Sequence, residues 1–265
     1  MTTLEILGCN ATAPGPTGAA SGYLLGHESG SVLVDAGPGT LLEFTRRYEL
    51  DELAAIVVTH LHADHSLDLM AWAYRWTFPE LRSTIPLLVP DEELGRIGRF
   101  DDLFGIPTLP TMVAPISSAF DVRGLDLDVG ASIEVADWRL TPRRALHAVP
   151  SATLRFERHG LIVAFSSDTG PCESVVENAA GADLFVCEST QLEADDDFIY
   201  GHGHLTPSLA AEIAADAGVK RLLLTHFARP EEAAEMKDVA ARIFPGRVDI
   251  AQAGDVIDLE PRQRD

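Results

Sequence analysis

Three imidazoles and one carboxylate crowd into His60-Leu61-His62-Ala63-Asp64-His65. Nitrogen and oxygen donors at this density suit borderline divalent cations, zinc first and manganese or iron after it. Without a cation, four polar groups would have to find partners in a small volume. With one, the segment could polarise a substrate oxygen and activate water at neutral pH, which is hydrolytic chemistry.

The elements that position this motif follow from hydrophobic patterning. An apolar run, Ala55 to Val58, precedes it, and a helical pattern, Leu67 to Trp76, follows. The motif is therefore a tight loop whose side chains fan into one pocket. Further strands are expected at Leu4 to Leu7, Val32 to Val34, Leu161 to Phe165, Leu184 to Val186 and Leu222 to Leu224. Helices are expected at Thr40 to Tyr48, Cys172 to Ala180, Pro207 to Ala217 and Glu231 to Ile243, with Thr206 as an N-cap before Pro207. Two segments echo one another: Ile56-Val57-Val58-Thr59-His60 and Leu222-Leu223-Leu224-Thr225-His226. Each delivers a histidine at the carboxyl end of a buried strand, which suggests equivalent strand ends. Between residues 90 and 115 glycines, prolines and acids interrupt every period, and an irregular insertion over one edge of the site is expected.

The order of these motifs resembles the metallo-β-lactamase fold family, whose signature is His-x-His-x-Asp-His after a strand. The resemblance runs from Leu4 to Leu259. It implies an α+β fold, a four-layer αββα sandwich forming one domain over residues 1–265, with the site at one end of two sheets. It also implies two divalent metal ions. His60 and His62 would hold one with His147, from Ala145-Leu146-His147-Ala148. Asp64 and His65 would hold the other with His226, and Asp168, from Ser166-Ser167-Asp168-Thr169-Gly170, would bridge them. The lesser alternative is that Asp168 is a turn residue capping Gly170. Many antibiotic-degrading members of the family carry cysteine at the bridging position, so aspartate points away from a dedicated β-lactamase. Asp35, in Val34-Asp35-Ala36-Gly37, is expected to support the site rather than to ligate.

Gly203-His204-Leu205-Thr206 resembles the His-x-Thr motif of ribonuclease Z and related phosphodiesterases. By that resemblance His204 approaches the scissile phosphate, oriented by Glu188, and His204 or Asp64 carries a proton to the leaving group; His202 is a surface neighbour. Without the resemblance, His204 reads as a helix-entry histidine. Ribonuclease Z grips tRNA with a long arm between the third histidine and the bridging aspartate. About 20 residues separate His147 from Asp168 here, too few for that arm. The arginines of Arg139 to Arg144 lack aromatic stacking partners.

The whole chain agrees with a small substrate. Its 265 residues are 46% hydrophobic, enough for a substantial core, and its net charge of −21, with Lys220 and Lys237 as the two lysines, repels polyanions. The same acidity could serve solubility alone. No run is apolar for long enough to cross a membrane, and Met1 to Glu5 lacks the start of a secretion signal, so a cytoplasmic protein is expected. Cys9, Cys172 and Cys187 are widely spaced and odd in number, which argues for core packing rather than disulfides. The expected activity is a phosphodiesterase acting on a small cyclic nucleotide or an RNA 3′ end, possible as a homodimer. An acyl hydrolase, a thioesterase or lactonase, is the alternative. Trp72, Tyr74 and Trp76 read either as an entrance to the site or as core.

Overall fold

The computed structural model describes residues 2–26 and 30–259. Strands β1 (Thr3–Asn10), β2 (Ala19–Ala20), β3 (Gly22–Gly26), β4 (Ser31–Val34), β5 (Leu53–Val57), β6 (Ile85–Pro90) and β7 (Phe120–Leu125) belong to the first sheet. Strands β8 (Ile133–Val135), β9 (Trp138–Arg144), β10 (Ala152–Arg158), β11 (Leu161–Phe165), β12 (Leu184–Glu188), β13 (Arg221–Thr225) and β14 (Arg247–Ile250) form the second. A last strand, β15 (Val256–Asp258), returns to pair antiparallel with β1, so the two ends of the described chain close one sheet together.

Side-chain alternation explains the layering. Along β4, Val32 and Val34 enter the core shared by the two sheets, while Leu33 points to the opposite face. There it meets Phe44 of α1 (Thr40–Thr45) and Trp72 of α3 (Leu69–Thr77). The second sheet is covered by α6 (Glu173–Ala179), α7 (Pro207–Asp216) and α8 (Ala233–Ala241), whose Val175, Ala210 and Met236 join the shared core. The result is the expected αββα sandwich. Among the described residues no helix is long and apolar enough to cross a membrane.

Several local expectations change. The helix expected from Leu67 to Trp76 is present as α3 from Leu69, and Leu67 and Asp68 separate it from a short α2 (Ala63–Ser66). The Asp68 carboxylate accepts a hydrogen bond from the Leu41 amide at 2.8 Å and so ties this break to α1. The segment 90–115 is not irregular throughout. It contains α4 (Leu94–Phe104), whose Leu94, Ile97, Phe100 and Phe104 recur at helical spacing, although only Ile97 is fully buried and Gly95 and Gly98 weaken the helix by composition. A further helix, α5 (Pro115–Ala119), follows it. Trp72 and Trp76 are buried in the core, and Tyr74 donates its hydroxyl to the Phe104 carbonyl, so this trio does not form an entrance. Cys9 and Cys187 are buried, Cys172 is partly so, and all three are free thiols.

Candidate metal centre

Parallel strands direct their carboxyl ends to one edge of the sandwich, and the chemistry gathers there. The loop after β5 brings His60, His62, Asp64 and His65; the β9–β10 connection brings His147; the ends of β11 and β13 bring Asp168 and His226. Two groups result. His60, His62, His147 and Asp168 present ligand atoms within 4.8 Å of one another, as do Asp64, His65 and His226. Asp168 touches both sets: its Oδ2 lies 3.7 Å from His60 Nε2, and its Oδ1 lies 3.3 Å from His65 Nε2 and 3.5 Å from His226 Nε2. The reading of Asp168 as a mere turn residue does not account for these contacts.

The outer ring nitrogens are already committed, which aims the inner ones at the pocket. His65 Nδ1 bonds Asp35 Oδ2 at 2.7 Å, and Asp35 Oδ1 also accepts the Thr59 amide. His147 Nδ1 donates to the Gly203 carbonyl at 2.9 Å; His226 Nδ1 meets Thr190 Oγ1 at 2.9 Å; His60 Nδ1 meets Thr59 Oγ1 at 3.2 Å. Asp35 thus supports a ring, as its sequence context suggested. Thr190 is a partner that sequence reading did not single out, although it lies two residues beyond Glu188 and therefore on the same side of an extended segment.

Three observations test whether this pocket suits cations. His60 Nε2 and Asp168 Oδ1 are buried without a hydrogen-bond partner, a cost that a bound cation removes. His62 Nδ1 and His147 Nε2 stand 3.1 Å apart, and His65 Nε2 and His226 Nε2 stand 3.2 Å apart, so each pair directs two nitrogens at one point. Titration behaviour agrees. Burial, reinforced by His65, holds His60 well below its ordinary value, and burial also lowers His62 and His147, so these rings are neutral donors. Burial opposes ionisation of Asp168 and Asp64, yet neighbouring histidines hold both carboxyls below their usual range. Burial likewise opposes a charge on His65, but Asp168 and Asp35 raise it well above normal, so a divalent cation would compete with a proton there. The residues fit divalent metal ions.

The backbone is strained around this pocket. Asp35, Ser167 and His226 have φ of 63°, 58° and 61°, and Thr12 has φ of 66° while its amide donates to Asp64 Oδ2 at 2.6 Å. Non-glycine residues seldom adopt such angles, and their gathering here marks a site for which geometry outweighs local comfort.

His204 and Glu188 complete the pocket. Glu188 is buried at the end of β12; its Oε1 accepts the Thr169 amide at 2.8 Å and lies 3.1 Å from His204 Nδ1. Burial opposes a charge on His204, but Glu188 overrides it and raises the imidazole to about 9. Phe198 stacks on one face of the ring at 4.9 Å. His204 is therefore an oriented group facing the site, with Glu188 favouring its protonated form, while the His202 side chain is exposed. Between His147 and Asp168, β10 and β11 form a hairpin joined by His159 and Gly160 with no projecting arm.

A two-sheet sandwich with a His/Asp cluster at the carboxyl ends of its parallel strands is an arrangement consistent with divalent-metal binding. Comparison with known proteins gives the family. Residues 31–227 match the model described as the beta-lactamase superfamily domain. An uncharacterized protein of Mycobacterium leprae is 31% identical, over 98% of this chain and 90% of its own length. Ribonuclease Z of Ignicoccus hospitalis is 29% identical, over 91% of this chain and 93% of its own length. In structure, the metallo-beta-lactamase fold protein YhfI from Bacillus subtilis superposes with a TM-score of 0.83 at 22% identity, covering 97% of this chain and 100% of that one. The chain belongs to the beta-lactamase superfamily.

Proposed function

We propose that the protein is a dinuclear, metal-dependent phosphodiesterase acting on a small diester such as a cyclic nucleotide in preference to an RNA 3′ end. His60, His62 and His147 hold one ion, Asp64, His65 and His226 the other, and Asp168 reaches both. Zinc is the expected metal, given five imidazoles and two carboxylates. When bound, a pair of such ions polarises the phosphoryl group and supplies a water activated at neutral pH.

The rest of the work falls to side chains of this chain. His204, held through Nδ1 by Glu188, keeps Nε2 for the substrate and presents a charged donor to phosphoryl oxygens, where charge accumulates. The same imidazolium can release its proton to the leaving oxygen. Asp64 is the weaker candidate for that task, since its carboxyl is held below its ordinary range and bonded to the Thr12 amide. The Glu188–His204 pair beside the seven-residue cluster is the observation that carries this reading, because acyl hydrolysis has no need of it. Preference for a small substrate rests on the tight hairpin in place of an arm and on the arginines of β9. Arg143 pairs with Glu177, and Arg144 pairs with Glu92 and Asp128, which leaves those cations already matched.

Hydrolysis of bis(p-nitrophenyl) phosphate by the zinc-loaded protein tests the proposal. His204→Ala should lower diester turnover by about 10²-fold or more, in line with loss of a positioned donor to the phosphoryl oxygens, since p-nitrophenolate leaves without needing a proton. Hydrolysis of p-nitrophenyl acetate should change far less. Vigorous ester cleavage with no diester turnover would make the protein an acyl hydrolase of the thioesterase or lactonase kind and leave His204 a structural residue.

A further inference from the structure

The segment before His204 is a π-helical turn, Asp197–Gly203, and it is locked to the loop that carries His147. Two main-chain groups make the lock. The Ala148 amide donates to the His202 carbonyl at 3.2 Å, and the Gly203 carbonyl accepts the ring N–H of His147 at 2.9 Å. Gly203 is buried with φ of +81°, and a Cβ there would lie 2.1 Å from the Leu146 carbonyl oxygen and 2.7 Å from His147 Cα. Both obstacles are backbone, so neither can swing aside. On its other side the His147 loop is pinned to the Asp168 loop, where the Gly170 amide donates to the Leu146 carbonyl at 2.7 Å. Gly170 is equally confined, since a Cβ would meet the Ile199 carbonyl oxygen at 2.6 Å.

We infer that Gly203 is a positioning residue whose carbonyl and absent side chain jointly set the His147 ring and the start of His204, coupling metal retention to the diester-contacting histidine. One peptide unit therefore governs two functions. Its carbonyl fixes the His147 tautomer with Nε2 free toward His62 and His60. Its bonds to the next residue fix where His204 begins, before Glu188 and Phe198 hold the ring. This inference rests on the proposed metal centre, and its test is separable from the diesterase reading because metal content and ring chemistry are read directly.

Gly203→Ala is compared with Gly201→Ala in the same turn. Gly201 is exposed, and an added Cβ meets only the side chain of Asp197, at 2.9 Å from Oδ1. After zinc loading and gel filtration, wild type and Gly201→Ala should retain the same zinc per chain, while Gly203→Ala should lose close to one equivalent. Its kcat for bis(p-nitrophenyl) phosphate should fall about 10–100-fold, the range seen when a partner behind a metal ligand is lost. Equal zinc content and kcat within twofold of wild type in Gly203→Ala would overturn the inference. Should Gly203→Ala fail to fold, ring-labelled ¹⁵N histidine spectra of the zinc-loaded wild type decide the matter. A His147 ring protonated at Nδ1 and carrying no proton at Nε2 is the expected result, and the opposite tautomer overturns it. A wild type that binds zinc but cleaves no diester would sink the phosphodiesterase reading and leave the zinc and tautomer comparisons in force.

Discussion

The two sheets furnish the site by different routes. In each, a first strand begins a parallel set of four: β4–β7 in the first sheet and β11–β14 in the second. The first sheet gives four cluster residues from one loop, after its second strand β5. The second spreads its contribution over the β9–β10 connection and the ends of β11, β12 and β13, with His204 arriving from the turn before α7. The repeated Leu/Ile/Val-Thr-His segments are thus not at equivalent strand ends, because β5 is second in its set and β13 is third. Position in the set instead relates Asp35, after β4, to Asp168, after β11. Asp35 is occupied by Thr59 and His65, whereas Asp168 Oδ1 is buried without a hydrogen bond. Equivalent carboxylates have diverged into a support and a candidate ligand.

Exchange of neutral side chains at these two aspartates probes that divergence most strongly. Asp168→Ala removes the group shared by both clusters, and diester kcat should drop by at least about 10³-fold, or roughly 4 kcal/mol in the barrier. Zinc content should fall with it. Asp35→Asn leaves the cluster intact but weakens the hold on His65 Nδ1, and a loss of about 10–100-fold in zinc affinity or activity is expected. Equal losses in the two variants would erase the distinction between ligand and support.

The same contrast explains what sequence could reveal. His60 to His65 was legible because four donors share one loop, and short apolar runs located β1, β4, β5, β11, β12 and β13. His226 was marked by the echo of Ile56 to His60, whereas His147 and Asp168 are single polar residues after ordinary strands, and the family resemblance alone collected them. Strands β6, β7, β9 and β10 escaped notice. Pro86, Pro90 and Pro142 interrupt the first and third, and half of β7 is solvated, so their patterns are diluted. Helix α4 was missed although its apolar residues recur at helical spacing, because Gly95 and Gly98 within it and the prolines on either side read as an irregular segment. The Gly203 contact lay beyond pattern reading altogether, since it depends on two loops 56 residues apart meeting at backbone distance.

Contact between the sheets is a smaller effect. The Tyr23 hydroxyl of β3 and the Thr225 hydroxyl of β13 share a buried hydrogen bond of 2.6 Å, directly beneath His226. Tyr23→Phe should cost about 1–2 kcal/mol, because Thr225 is left without that partner. Thermal unfolding should shift by about 2–4 °C per kcal/mol, with diester kcat changed less than in either aspartate variant. A kcat loss matching that of Asp35→Asn would mean that the inter-sheet bond, rather than local support, positions the second cluster.

The outer strands of the two parallel sets make the smallest and cleanest comparison. Each carries an arginine and an aspartate two residues apart, on one face: Asp121 with Arg123 on β7, and Arg247 with Asp249 on β14. The β7 pair is more than half exposed and joins no neighbouring strand. Asp249 also takes Arg221 of β13 at 2.6 Å, with its side chain only 19% exposed. Burial works against its charge, but hydrogen bonds from Arg247 and Arg221 prevail and lower its carboxyl below the ordinary 3.8. Because the folded value is depressed, its contribution is fully present above the unfolded value and fades as pH falls through the folded one. Asp249→Asn should therefore cost up to about 1 kcal/mol at pH 7, after allowance for solvent screening, and Asp121→Asn close to nothing. Urea unfolding of metal-free protein at pH 7 and pH 3 checks both values without interference from metal release. A difference between wild type and Asp249→Asn that stays constant over that range would show that shape, not charge, ties β14 to β13.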